Sequence, residues 1–195
     1  MKKILCAVTA SVLATTAFAQ TSGHGAGQLN VYGKVTQNTC QLAPNSANVQ
    51  VDLGSTPVDQ LAKAGSVSVR PAKPFTIELI NCPASYVVVD GEQAGTKLTQ
   101  AAVKFATSAN VTEDGYLKNV SASAARAENV QVRLLNADAS DEVINLRTNA
   151  NAPSKNLADA NGNITFNLKA RLGSKEGNAT PGHFQSSVPF EIVYK

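Results

Sequence analysis

The chain has 195 residues, carries 17 Lys or Arg against 14 Asp or Glu for a net charge of +3, and contains no tryptophan. It has no cluster of basic residues interleaved with aromatic ones, so the sequence gives no reason to expect a nucleic-acid partner. A chain of this length can bury a hydrophobic core of its own.

Residues 1–19 are predicted to be a secretory signal peptide. Lys2 and Lys3 precede an apolar run over residues 4–18, and Ala17-Phe18-Ala19 fits a small-residue cleavage site. The apolar run has about 15 residues, fewer than the roughly 20 that a transmembrane helix needs. Cleavage before Gln20 leaves 176 of the 195 residues and removes two lysines, so the net charge falls from +3 to +1.

Residues 28–36 show the alternation that is typical of a half-buried β-strand. The apolar or side-chain-free positions of this strand are Leu29, Val31, Gly33 and Val35. The segment follows a glycine-rich run at 21–27, and a glycine in mid-strand marks a bulge or a close approach of another backbone. Two interpretations are open here: a first strand of the chain's own sheet, or a strand that completes the sheet of another copy.

Cys40 and Cys82 are the only cysteine pair that is left once Cys6 departs with the signal peptide. In an exported chain such a pair predicts a disulfide. It would close a loop of 41 intervening residues, worth roughly 4 kcal/mol in the chain-entropy model. The alternative is a metal site, but His24 and His183 lie in a linker and beside a turn, so we expect no metal and no other cofactor.

Short alternating segments separated by turn residues follow, and none has the periodicity of a long helix. The predicted strands cover residues 48–54, 66–70, 75–79, 87–89, 102–106, 116–120, 129–135, 143–146, 164–172 and 188–194. Residues 121–128 are compatible with a helical turn, and residues 147–162 are predicted to be a loop. The pattern predicts an all-β, immunoglobulin-like antiparallel β-sandwich.

The final predicted strand ends at Tyr194, one residue before the end of the sequence. We therefore expect a sandwich that lacks its final strand and exposes an apolar groove beside an unpaired edge. One strand is surplus at 28–36 and one is missing at the other end, which predicts head-to-tail assembly. Donor and acceptor are then different surfaces, and such a contact propagates into a filament.

Several motifs in chain order carry a resemblance to a known family. They are Gly33 seven residues before Cys40, Val51-Asp-Leu-Gly54, Phe75-x-Ile-x-Leu-x-x-Cys82, Val130-Gln-Val132, Phe166-x-Leu-x-Ala-Arg171, Thr180-Pro-Gly182 and Phe190-x-Ile-x-Tyr194. With them, the sequence resembles the type 1 pilin family, the fimbrial subunits of the chaperone–usher pathway. Gly182 is fourteenth from the C-terminus and Tyr194 is penultimate, a pair that in this family marks the motif read by the periplasmic chaperone. A role of Tyr194 as a core aromatic is compatible with this one.

The resemblance implies a pilin domain at 36–195 and an N-terminal donor-strand extension at 20–35, so that strand donation becomes the favoured interpretation. Inserted into the next subunit would be Leu29, Val31, Gly33 and Val35, with Gly33 at a site too narrow for a side chain. The implied acceptor-groove and chaperone-recognition residues are Phe166, Leu168, Gly182, Phe190, Ile192 and Tyr194. The implied partners are other pilin subunits, a periplasmic chaperone and an outer-membrane usher. The implied location is a fimbrium on the bacterial surface, where it supports cell adhesion.

Other classes of function are less favoured. No nucleophile lies in a Gly-x-Ser-x-Gly elbow and no histidine is placed among the strands as a base, so we do not expect an enzyme. A tip adhesin of this family carries an extra lectin domain, for which 176 residues leave no room. A minor adaptor or tip-associated pilin that binds a ligand weakly through loops 107–128 or 147–162 stays open as the alternative.

Overall fold

The structure is a computed structural model that describes residues 29–32, 39–88, 95–158 and 162–195. The predicted signal peptide lies outside the described residues, and so do Gly33 and Val35 of the predicted donor strand. Two compact units divide the chain, Met1–Val35 and Thr36–Lys195. Only residues 29–32 of the first unit are described, and the fold below is that of the second.

Eleven short β-strands and three 3-10 turns are found in the described part of the chain. The strands are β1 Gln41–Leu42, β2 Lys73–Ile80, β3 Tyr86–Val88, β4 Thr96–Leu98, β5 Gln100–Phe105, β6 Leu117–Lys118, β7 Gln131–Asn136, β8 Glu142–Val143, β9 Ser154–Asn156, β10 Ile164–Gly173 and β11 Phe190–Tyr194. The 3-10 turns are Pro44–Ser46, Val58–Leu61 and Ala137–Ala139. No helix of the described residues is long and apolar enough to cross a membrane.

Two antiparallel sheets and one hairpin organise these strands. The first sheet has the order β1-β2-β10-β7-β6, with β8 also paired to β7, and the second has the order β11-β5-β9. Strands β3 and β4 form the hairpin. The central strand β10 pairs with β2 from Ile164 opposite Leu79 to Ala170 opposite Lys73. The all-β antiparallel architecture expected from the sequence is confirmed.

The hydrophobic core receives alternate side chains from both sheets. Phe166 and Leu168 of β10 are fully buried, whereas Asn167 between them is exposed. Val103 and Phe105 of β5 enter the same core from the second sheet. This is the two-residue period of a strand with one buried face, and each such side chain contributes roughly 1.5–3 kcal/mol by leaving water.

The predicted disulfide between Cys40 and Cys82 is present. Cys40 immediately precedes β1 and Cys82 follows β2, and these two strands pair with Gln41 opposite Ile80. The bridge therefore fastens the end of an antiparallel strand pair.

Some predicted elements are wrong. Residues 66–70 form no strand, and Val67 makes only an isolated bridge to Gly173. Residues 121–128 contain a turn at residues 124–125 but no helix, and β9 lies inside the predicted loop 147–162. The sequence of β9, Ser-Lys-Asn, contains no apolar residue, and Ser154 and Asn156 are exposed, so the strand gives no apolar alternation.

Candidate functional site

An open groove of about 930 Å³ exposes part of the hydrophobic core. Two segments outside the regular strands, residues 47–56 and 180–189, form its walls. Core side chains from both sheets form its floor, among them Phe75, Ile77, Phe105, Val132, Leu134, Ala170 and Leu172. The groove therefore lies where a further strand would close the sandwich.

The first wall shows the alternating side-chain burial of a β-strand but does not form one. Val49, Val51 and Leu53 are half-buried and pack against the core, and the residues between them are exposed. The predicted strand at 48–54 is nevertheless absent, because a β-strand is defined by its pairing. Within the part of the chain that the structure describes, no backbone hydrogen bond involves residues 48–53.

The second wall is paired along one side only. Backbone amides within residues 106–127 donate, over 2.8–3.0 Å, to the carbonyl oxygens of His183, Gln185 and Pro189. Successive residues of an extended chain direct their backbone groups to opposite sides, so the even-numbered residues face the other edge. Among the described residues, no backbone hydrogen bond involves Phe184, Ser186 or Val188.

Strand β11 continues this unpaired edge. It lies at the edge of its sheet and pairs, among the described strands, with β5 alone. The Ser186 hydroxyl oxygen is buried in the groove wall and has no hydrogen-bond partner among the described residues. Leaving a buried polar group unpaired costs about 1–3 kcal/mol, so an occupant that supplied a partner would bind more tightly.

The groove offers apolar contact and backbone hydrogen bonds rather than acid–base or ligating groups. Asp52 and His183 are the only titratable residues among its described lining. No group of three or more His, Cys, Asp or Glu side chains among the described residues is placed to hold a metal ion. An extended apolar segment is therefore the occupant that best matches the surface.

The six residues that the sequence assigned to the acceptor groove or to chaperone recognition lie in three different places in the structure. Gly182 and Phe190 line the groove. Phe166 and Leu168 are fully buried core residues outside the lining, and Ile192 and Tyr194 are half-buried on β11, also outside it. Their assigned roles stay predictions. The sequence assignment missed most of the lining, both the floor residues named above and the wall residues Val49, Val51, Leu53, Phe184 and Val188. The alternation at 48–54 carried the signal for Val49, Val51 and Leu53.

Leu29 and Val31 are the described members of the predicted donor strand. Their side chains are 87% and 81% exposed, and residues 29–32 form no strand in the isolated chain. Such exposure of two large apolar side chains at alternate positions is unfavourable in water.

Comparison with known proteins assigns the family. The fimbrial protein family model matches residues 29–195, and the chain belongs to that family. It is 30% identical to a type-1 fimbrial protein subunit of Serratia marcescens, with all of both chains covered. It is 32% identical to the F17 fimbrial protein of Escherichia coli, over 87% of each chain. The family that the sequence motifs indicated is confirmed.

Solved structures show the same fold. The P pilus rod subunit PapA superposes with a TM-score of 0.58 at 16% identity, covering 81% of this chain and 100% of that one. A chain of a chaperone–usher pilus matches with a TM-score of 0.52 at 16% identity, covering 91% of this chain and 100% of that one. The sandwich is thus the immunoglobulin-like fold of pilus subunits, and the family match identifies the chain as a structural pilin.

Proposed function

We propose that this pilin polymerises head to tail into a surface fimbria, with residues 28–35 of one copy filling the groove of the next. The observation that carries the proposal is the groove itself, an exposed stretch of core between two walls. Among the described residues, the first wall makes no backbone hydrogen bond over residues 48–53, and the second is paired along one side only. The occupant is a second copy of this chain because its own sequence contains a matching strand.

The side chains of that strand fit the groove by their spacing. The floor and walls present apolar side chains over about 930 Å³, and a strand directs every second side chain to one face. Leu29 and Val31 occupy alternate positions and are exposed in the isolated chain. Burying each would stabilise the assembly by roughly 1.5–3 kcal/mol.

The backbone of the strand fits the walls. A strand laid between residues 48–53 and 184–188 would have partners on both sides, since within the described part of the chain no backbone hydrogen bond involves residues 48–53, Phe184, Ser186 or Val188. Each hydrogen bond made there contributes about 0.5–1.5 kcal/mol net. A row of such backbone hydrogen bonds makes strand addition tight. It also makes binding insensitive to the exact side chains at the exposed positions.

Assembly by this contact is open-ended. The donated strand and the accepting groove are different surfaces of one chain, so each subunit added offers the same pair of surfaces to its neighbours. An exposed apolar groove also favours aggregation before assembly. We infer that a periplasmic chaperone covers it and that an outer-membrane usher exchanges the chaperone for the next subunit. The polymer would stand on the cell surface and support adhesion.

Deletion of residues 20–35 tests this function, because the deleted chain keeps its groove and loses its donor strand. Expressed with its secretion partners, it should give no SDS-resistant polymer ladder, whereas the full chain should give one that collapses on boiling. Mixed with the full chain, the deleted chain should shorten fibres in proportion to its share, since it accepts a strand but cannot donate one. Normal polymer yield from the deleted chain, or a full chain that stays monomeric at all concentrations, would contradict the proposal.

A further inference from the structure

One end of the groove is built by the close approach of two backbone segments, residues 125–127 and residues 182–183. The Ala127 amide donates to the His183 carbonyl oxygen at 3.0 Å, and the His183 amide donates to the Ala125 carbonyl oxygen at 2.8 Å. Arg126 and His183 thereby form an isolated parallel bridge. Both Ala127 and His183 line the groove, so this junction sets the shape of that end.

Gly182 permits the two segments to approach this closely. A Cβ at this position would lie 2.4 Å from the Ala127 nitrogen, 2.5 Å from the Ala125 oxygen and 2.6 Å from the Arg126 carbonyl carbon. All three contacts are with backbone atoms, which cannot rotate away as a side chain can. The φ angle of Gly182 is also +155°, a value that residues with a side chain rarely adopt.

The side-chain amide of Asn119 is hydrogen-bonded to both segments of this junction. Its amide nitrogen donates to the carbonyl oxygens of Ala127 at 2.8 Å and His183 at 2.7 Å. Its amide oxygen accepts from the backbone nitrogens of Ser121 and Gln185, both at 3.0 Å. These four bonds use both donor hydrogens and both lone pairs of the amide.

The residue held by this arrangement is Phe184. Its neighbours His183 and Gln185 are both bonded to Asn119, and its own half-buried side chain lines the groove and packs against the core. We propose that Gly182 and Asn119 are positioning residues, which hold the wall at 183–185 in the geometry that accepts an incoming strand. This inference rests on the proposed function, and it gives the Gly182 motif a role in strand acceptance that needs no direct contact with a chaperone.

A strand-capture measurement on the mature full chain, residues 20–195, tests the inference. The probe is a fluorescent peptide with the sequence of residues 20–36, in large excess over the protein. Gly182→Ala should slow capture by at least about tenfold, equivalent to about 1.4 kcal/mol. Gly65→Ala is the matched control, because Gly65 also has a positive φ, +77°, but open space around its Cβ position. Its capture rate should stay within about twofold of the unsubstituted chain, well under 1.4 kcal/mol.

Asn119→Asp provides a second variant in case Gly182→Ala does not fold. It keeps an acceptor for Ser121 and Gln185 and loses the donors to Ala127 and His183, so it too should capture the peptide slowly. Rates are normalised to the folded fraction. Amide hydrogen exchange should quicken at Ala127 and His183, whose backbone bonds span the junction, but not at Phe166 in the core. A purely stabilising role would lower the unfolding midpoint without changing the normalised rate.

The outcomes separate this inference from the function on which it rests. Capture by the unsubstituted chain together with unchanged normalised rates in both variants would overturn the positioning role alone. Failure of the unsubstituted chain to capture the peptide would overturn the proposed function and the positioning role together.

Discussion

The aromatic ring of Tyr194 lies 5.6 Å from that of Tyr86, with 40° between the ring planes. Its hydroxyl is also hydrogen-bonded to the side chain of Thr39 and the backbone of Cys40. Burial raises the pKa of Tyr194, and these hydrogen bonds oppose that rise without cancelling it. One side chain of β11 therefore contacts both the β3–β4 hairpin and the disulfide-bonded end of β1, so Tyr194 is part of the folded domain as well as a predicted recognition residue.

Substitutions of Tyr194 should separate what its hydroxyl contributes to stability from what its ring contributes. Tyr194→Phe keeps the ring and removes the hydroxyl, so the free energy of unfolding should fall by about 1 kcal/mol. Tyr194→Ala also removes the contact with Tyr86 and should cost about 2–3 kcal/mol in total. Denaturant titration of the purified chains measures both. Tyr32→Phe serves as the control, since Tyr32 is 89% exposed; equal stabilities of all four chains would refute the account of Tyr194.

The Cys40–Cys82 disulfide should contribute a large share of the domain's stability. Replacing both cysteines with serine frees a loop of 41 intervening residues, and the free energy of unfolding should fall by roughly 4 kcal/mol. Guanidinium titration gives the value, and thiol titration of the unfolded mature chain should find no free thiol. Two free thiols in the mature chain would rule the bridge out.

Asp138 should make stability depend on pH in the acid range. Burial alone would raise its pKa, but hydrogen bonds from the side chain and backbone of Asn167 and the ammonium of Lys155 together outweigh that effect and hold the pKa below its ordinary value. A carboxylate with a depressed pKa stabilises the fold above its unfolded pKa and loses that contribution as the pH falls through the folded value.

Asp138→Asn tests this linkage. The variant should be less stable than the unsubstituted chain by about 1 kcal/mol at pH 7, and the difference should hold down to about pH 5 and then shrink as the unsubstituted carboxylate is protonated. Urea titrations from pH 7 to about pH 2 measure it. A difference that stayed constant across this range would show that Asp138 acts through shape and not through charge.

Much of the fold was predictable where one face of a strand is buried. The alternation along β10 and β11 predicted both strands because inward side chains such as Phe166 and Phe190 have exposed neighbours. The alternation at 48–54 also reported burial correctly, yet no strand forms there, since pairing depends on a partner as well as on side-chain pattern. Strand β9 could not be predicted, because Ser154 and Asn156 point outward and carry no apolar signal.

The site was less predictable than the fold. Gly182 stood out through its family motif, but its proximity to residues 125–127 depends on tertiary structure that no local pattern reports. Asn119 has no sequence signal at all, since one asparagine in an Asn-rich chain resembles any other until its four hydrogen bonds are seen. Leu168 followed the inward pattern of groove residues and yet lies in the closed core, because periodicity distinguishes inside from outside but not core from groove.

The most direct test of strand donation compares a donor-strand residue expected to face the groove with an adjacent residue expected to face away from it. Val31 and Tyr32 are adjacent and both exposed in the isolated chain, so an aspartate at either position should leave the stability of the monomer unchanged within about 0.5 kcal/mol. In the proposed polymer, Val31 would point into the neighbour's groove and Tyr32 would point away, because successive strand residues face opposite sides. We predict that Val31→Asp abolishes SDS-resistant ladders and surface fibres while Tyr32→Asp leaves both intact. Equal polymer yields from the two variants would contradict donation of this strand.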